Sequence, residues 1–292
     1  MKRIRITAVF LAILMCITLL AGCSLKPTAL GVAKKAADKM SKVESLRGNV
    51  TIEYEGDISY GVLSGDFGIT LDQNVESCSK TGVTHMSGTA NASVMGMDAG
   101  IPVEIYLQKE EGKVTGYVSA DGNNWISREQ SLSTQEPNAL LGLGIIKKIL
   151  DKEIEAELAE EPETVGGREA HVLNVTLRGE ILREIMRELL LSLGQDAAAA
   201  DDADLTDVSV DAVIYVWTDT YQIAGIRMDC TSLGNVMIAG IAGDNGIEVE
   251  TKKFLVTYMA SEYDTVNDLE IPQEVIDSAQ SGTSSILENL LP

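Results

Sequence analysis

Aromatic side chains make up only 4% of this chain, and each scarcity around them removes a class of function. The only tryptophans, Trp125 and Trp217, both fall in alternating, strand-like contexts, so the exposed rings on which sugar-binding modules stack their ligands are lacking. Lys and Arg number 23 against 44 Asp and Glu, a formal charge of −21, which repels phosphate backbones and excludes nucleic acid as a partner. His85 and His171 are the only histidines, and neither stands at a metal-ligand spacing. The sequence contains no G-x-S-x-G elbow, P-loop, C-x-x-C or G-x-G-x-x-G. It therefore offers no catalytic constellation and calls for no cofactor, and the chain reads as a non-enzyme. Asp201, Asp202, Asp204 and Asp207 cluster carboxylates, but without the turn glycine and late bidentate Glu of a calcium loop. They read as a solvated acidic loop, so no metal site is expected.

Cysteine is also rare, with four residues, and one of them stands in an informative place. Lys2, Arg3 and Arg5 precede an apolar run from Ala8 to Leu20, the charged and apolar regions of a secretory signal, too short to span a membrane comfortably. The following Leu20-Ala21-Gly22-Cys23 resembles the lipobox of bacterial lipoproteins. That resemblance implies that residues 1–22 are removed as a signal peptide, that Cys23 carries diacylglycerol on its sulfur, and that residues 23–28 form a short tether stiffened by Pro27. Each buried methylene adds about 0.8 kcal/mol, so two acyl chains anchor where one would exchange. The expected location is the extracytoplasmic side of the cell membrane, with the membrane itself as a partner through Cys23. Of the remaining cysteines, Cys78 and Cys230 would survive processing, and the sequence leaves open whether they form a disulfide or stay as two buried thiols.

Six prolines and no Ser-rich linker leave residues 29–280 as one domain, followed by a tail at 281–292. Ala29, Ala33, Ala36, Met40 and Val43 recur at helical spacing behind Thr28, a plausible cap, which predicts a helix over 29–43. From Leu46 the period changes to two. Val50, Ile52 and Tyr54 alternate with polar residues, as do Phe67, Ile69 and Leu71, then Met86 to Val94, then Ile101 to Leu107. Asp121-Gly122-Asn123-Asn124 supplies turn chemistry inside a hairpin. Further strands are expected over 170–177, 208–218, 222–231 and 248–260, giving an antiparallel meander of eight to ten. Two more helices interrupt it, an apolar one over 138–150 and an amphipathic one over 181–193. Between that second helix and Val208, "GQDAAAADDADLTD" reads as a mobile acidic surface loop.

The helix "KKAADKMSKVESLRGNVTIEYEG" behind a lipobox, the hairpin "YVSADGNNWIS", the strand "AVIYVWTDTYQIAGIRMDC" and the ending "TVNDLEIPQEVIDSA" together resemble the LolA/LolB and LppX/LprG-like group of bacterial lipoproteins and lipid carriers. The resemblance implies an α+β fold: a strongly curved antiparallel sheet, a half-open β-barrel, whose concave face is apolar and covered by helices. It further implies a hollow that binds and carries or presents an acyl-chain amphiphile. Met86, Ala90, Val94, Ile105, Leu141, Ile145, Ile185 and Leu189 are the residues expected to line it, with the segment 138–150 as the lid. Alternation is equally compatible with a closed core. The alternative is therefore a non-catalytic protein-interaction or envelope-sensing module with its core filled.

Overall fold

The computed structural model describes residues 26–60, 63–110, 112–131, 143–151, 153–192, 199–242 and 247–281. Cys23, most of the tether, Leu141 and nearly all of the 281–292 tail lie outside them. The described chain is α+β, a large curved and unclosed sheet with helices.

Two antiparallel meanders build the sheet. The first comprises β1 (Ser45–Tyr60), β2 (Leu63–Cys78), β3 (Val83–Val94), β4 (Met97–Glu110), β5 (Lys113–Ser119) and β6 (Ile126–Ser131). The second comprises β9 (Arg168–Leu177), β10 (Val210–Trp217), β11 (Ile223–Asp229) and β12 (Ile247–Tyr263), with the short β7 (Ala156–Leu158) and β8 (Glu163–Val165) on the outer side of β9. Long pairing of β1 with β12 joins the meanders, and β13 (Gln280–Ser281) adds a short parallel partner to β6. The β1–β12 ladder carries a bulge, since Glu55 faces Lys253 but Gly56 faces Thr251. Lys252 is the extra residue, and its ammonium pairs with Asp57 at 2.6 Å.

Register assigns the side chains to two unlike faces. Val50, Ile52 and Tyr54 of β1 stand opposite Tyr258, Val256 and Phe254 of β12, which in turn share a face with Ile226 and Met228 of β11 and Ile214 of β10. The other face carries Glu53, Glu55, Asp72 and Glu76, tied by Arg47–Glu76, Lys253–Glu53 and an Asn49–Asp72 hydrogen bond.

Helices pack on the apolar face of the second meander. Ala29–Met40 starts where Thr28 Oγ1 accepts from Gly31 N at 3.1 Å, and it buries Val32, Ala33 and Ala36. It packs against Leu143–Leu150, whose Ile145, Ile146 and Ile149 are buried. Glu180–Ser192 buries Ile181, Leu182, Ile185 and Met186. Together with Leu173, Ile214, Ile226 and Tyr258 these make the main core.

A fourth helix, Thr231–Ala242, occupies sequence expected to connect two strands. After Asn235 its residues are all apolar or glycine, so it lacks the one-sided stripe by which a helix is read from sequence. It supplies Thr231 Oγ1 and Asn235 Oδ1 as acceptors for the Phe254 and Thr251 amides, which flank the bulge in β12.

The 199–208 stretch is more tightly held than its composition suggests. Ala199–Asp202 forms a helical turn, and Arg183 donates to the carbonyls of Ala200 and Asp201 while Arg187 pairs with Asp201. The expectation of a loose acidic loop is thus corrected for these residues, because the two outward arginines of Glu180–Ser192 hold the chain there.

Cys78 and Cys230 are both free and buried. Cys230 N donates to Phe254 O, whereas Cys78 pairs with Ser45, next to the Leu46–Tyr263 pair. From Phe254 to Tyr263 the strand advances about 30 Å, far beyond the roughly 7 Å that a disulfide tolerates between Cα atoms. Burial pushes the Cys230 thiol up to about 12, which leaves it inert.

Candidate functional site

The apolar face runs on past β1 into β2–β5, beyond the main helix-covered core. Its side chains meet in rungs across the sheet: Phe67–Val94–Met97, Ile69–Ala92–Ala99, Leu71–Ala90–Ile101, Gln73–Gly88–Val103, and Val75–Met86–Ile105–Val118. Residues within a rung stand about 4.5–5.5 Å apart at Cβ. No charged side chain occurs among these five rungs.

Exposure is greatest toward the β3–β4 end of the rungs. Val75, Val103 and Val118 are buried, Leu71, Ala90 and Ile101 are half-buried, and Ile69, Val94 and Met97 are 46%, 45% and 72% exposed. The open end is the β3–β4 turn, where Met95 and Gly96 both have positive φ, 51° and 76°. The result is an apolar strip, closed at one end and open at the other, floored near its middle by Gly88, Ala90 and Ala92. Gly88 is fixed by geometry as well, since a Cβ there would lie 1.9 Å from the Asp72 carbonyl oxygen.

Of the lining residues expected from sequence, Met86, Ala90, Val94 and Ile105 share this strip, and Met86 and Ile105 are a direct cross-strand pair. Ile145 and Ile185 do not join them. Both are 0% exposed inside the helix-covered core, where they fill space between helices and sheet. Leu141 falls outside the described residues, and Leu189 lies within Glu180–Ser192. The lid expected over 138–150 is described only for Leu143–Leu150, which is packed into the core.

Gln73 was not among the expected residues, yet it sits on the apolar face and is 1% exposed. Neither its Oε1 nor its Nε2 has a hydrogen-bond partner among the described residues. Its signal is present in the sequence: counting by twos through Phe67, Ile69 and Leu71 reaches Gln73 before Val75.

The histidines have structural surroundings. His85, on the polar face, contacts Glu104 at 3.0 Å and stacks on Tyr106 with centroids 4.3 Å apart. Tyr106 donates to the same Glu104 oxygen, and burial, reinforced by that carboxylate, pushes its hydroxyl up to about 12. Tyr106 in turn packs with Trp125, Val83 and Val275, so the C-terminal segment covers this part of the polar face. His171 lies beside Tyr221, with ring centroids 5.8 Å apart. No group of three or more metal-ligating side chains is present among the described residues.

A shallow recess of about 680 Å³ is bordered mainly by polar-face residues, among them Glu55, Thr70, Asn91, Asp98 and Lys252. None of the lining residues expected from sequence borders it.

No family model matches the chain, and no curated protein matches it. Among solved structures, it is similar to a DUF1329 family protein from Desulfovibrio piger, at 11% identity and TM-score 0.25, over 82% of this chain and 93% of that one. It is also similar to the complex structure of Pseudomonas aeruginosa MucA/MucB, at 13% identity and TM-score 0.26, over 88% of this chain and 62% of that one. A third is a beta-barrel-like protein of the domain of unknown function DUF1849 from Brucella abortus, at 10% identity and TM-score 0.24, over 77% of this chain and all of that one. Likeness at these scores carries no conclusion about activity.

Proposed function

We propose that this protein is a membrane-anchored lipoprotein that holds an acyl-chain amphiphile against the β2–β5 half of its apolar face and carries or presents it on the extracytoplasmic side of the membrane. The reading rests on one observation above others: a strip of apolar rungs, free of charge, whose exposure climbs to 72% at Met97. Exposed apolar residues scattered singly are ordinary on protein surfaces, but a contiguous strip marks a binding surface. An alkyl chain laid along it gains about 0.8 kcal/mol for each methylene removed from water, with no covalent step. The lipobox at Leu20–Cys23 supplies the anchor, and the resemblance to LolA/LolB- and LppX/LprG-like carriers points the same way. Carriage of this kind needs neither a catalytic residue nor a cofactor.

Native mass spectrometry of the chain from Ser24 onward, purified from bacteria without detergent, tests this. A discrete added mass that organic extraction removes is the expected result. Ala90→Trp, which fills the middle of the strip with an uncharged ring, should abolish the added mass while leaving the fold intact. The competing reading, an interaction module with a filled core, draws on the fully packed second meander. A bare polypeptide mass, with no uptake of offered lipids, would decide in its favour.

A further inference from the structure

Resting on that reading, we infer that Gln73 is the polar anchor of the site, and that the occupant is an acyl chain bearing an uncharged hydrogen-bonding linkage, an ester or amide carbonyl, rather than a free carboxylate. The amide of Gln73 is 1% exposed, with both polar atoms unpaired among the described residues. A buried amide without partners is disfavoured, so the side chain sits there at a disadvantage that a leucine of similar shape would avoid. Its cross-strand neighbours are Val50 on one side and Gly88 on the other. Gly88 carries no side chain to set against the amide on the β3 side, the place of its Cβ being taken by the Asp72 carbonyl.

The position along the strip fixes how a ligand would lie. From Gly88, opposite Gln73, β3 runs to Val94 at the open end, about 20 Å at strand rise. A carbonyl accepting from Gln73 Nε2 therefore leaves its alkyl chain lying over half-buried Ala90 and Ala92 toward exposed Val94. One occupant accounts for both the orphan amide and the uncovered strip. No cation stands on these rungs to neutralise a buried carboxylate, and a charge placed there without a partner would be strongly disfavoured.

The test uses the full chain, purified and delipidated, then offered methyl palmitate, hexadecyl methyl ether and palmitate in competition, with the retained species extracted and quantified. The wild type should retain the ester over the ether by about tenfold, the margin of one added hydrogen bond, and should retain palmitate poorly. In Gln73→Leu the ester and ether should be retained equally, and the melting temperature should be no lower than that of the wild type. Gln73→Met, equally long and unbranched, is made alongside in case leucine does not fit. Equal retention of ester and ether by the wild type, or a preference that survives in a folded Gln73 variant, overturns the inference and leaves the hollow standing. If the wild type retains none of the three probes, the proposed function falls with it.

Discussion

The two halves of this sheet are written in the same alternating pattern and end differently. In β9–β12 the apolar face lies under helices, and residues such as Leu173, Ile214 and Ile226 are fully buried. In β2–β4 the same face fades from buried Val75 and Val103 to exposed Ile69 and Met97. Alternation states that one face avoids water and is silent on what shields it. The difference is made by separate elements, Ala29–Met40, Leu143–Leu150, Glu180–Ser192 and Thr231–Ala242, of which those with described contacts to the sheet lie over β7, β10 and β12.

The sharpest way to break this contrast is a matched pair of truncations. Leu173→Ala in the covered half should cost about 2–5 kcal/mol, because it leaves a cavity in a packed core. Ile101→Ala in the uncovered half should cost no more than about 1 kcal/mol, as at an ordinary surface position. Urea denaturation of both variants measures the difference, and equal losses would show that the strip is core after all.

Gly88→Ala comes next. Its new Cβ would meet the Asp72 carbonyl of the neighbouring backbone, so a loss of roughly 1–3 kcal/mol is expected. A neutral result in the same denaturation experiment would mean that β2 and β3 can spread at this point.

The covered half should also carry a pH dependence. Burial, aided by the Lys35 charge, holds the His171 imidazole below its ordinary 6.5. The unfolded chain therefore binds the proton more readily than the folded one. This contribution is complete above about pH 6.5 and is lost as pH falls toward the lower folded value. His171→Gln should accordingly flatten the fall in melting temperature between about pH 7.5 and pH 5.5. An unchanged slope would assign the acid sensitivity to other groups.

The smallest effect is expected at Arg187→Ala, which removes exposed pairs with Asp201 and Glu180. About 0.5 kcal/mol should be lost at low ionic strength and less in high salt. The 199–208 stretch should then become more open to limited proteolysis, with little change in melting temperature.

Much of the fold was legible from side-chain period. The register that opposes Val50, Leu71, Ala90 and Ile101 on one face follows from counting by twos, and Ala29–Met40 and Glu180–Ser192 follow from apolar stripes at helical spacing. Thr231–Ala242 is hidden because its mostly apolar, glycine-containing sequence has no polar stripe to orient it. The site was half legible. Met86, Ala90, Val94 and Ile105 follow from strand alternation, but the place of Ile145 and Ile185 does not, because an amphipathic stripe reveals that a side chain is buried and not which part of a long sheet buries it.

The pairing of β1 with β12 also orders events in time. These strands form one of the two long ladders of the sheet, yet Tyr263 follows Leu46, its partner, by some 200 residues. Until β12 joins it, the first meander has the whole of β1, from Ser45 to Tyr60, as a bare edge open to pairing with any other strand. A chain with such a distant central pairing folds slowly and late, and a truncated one is expected to aggregate through that edge.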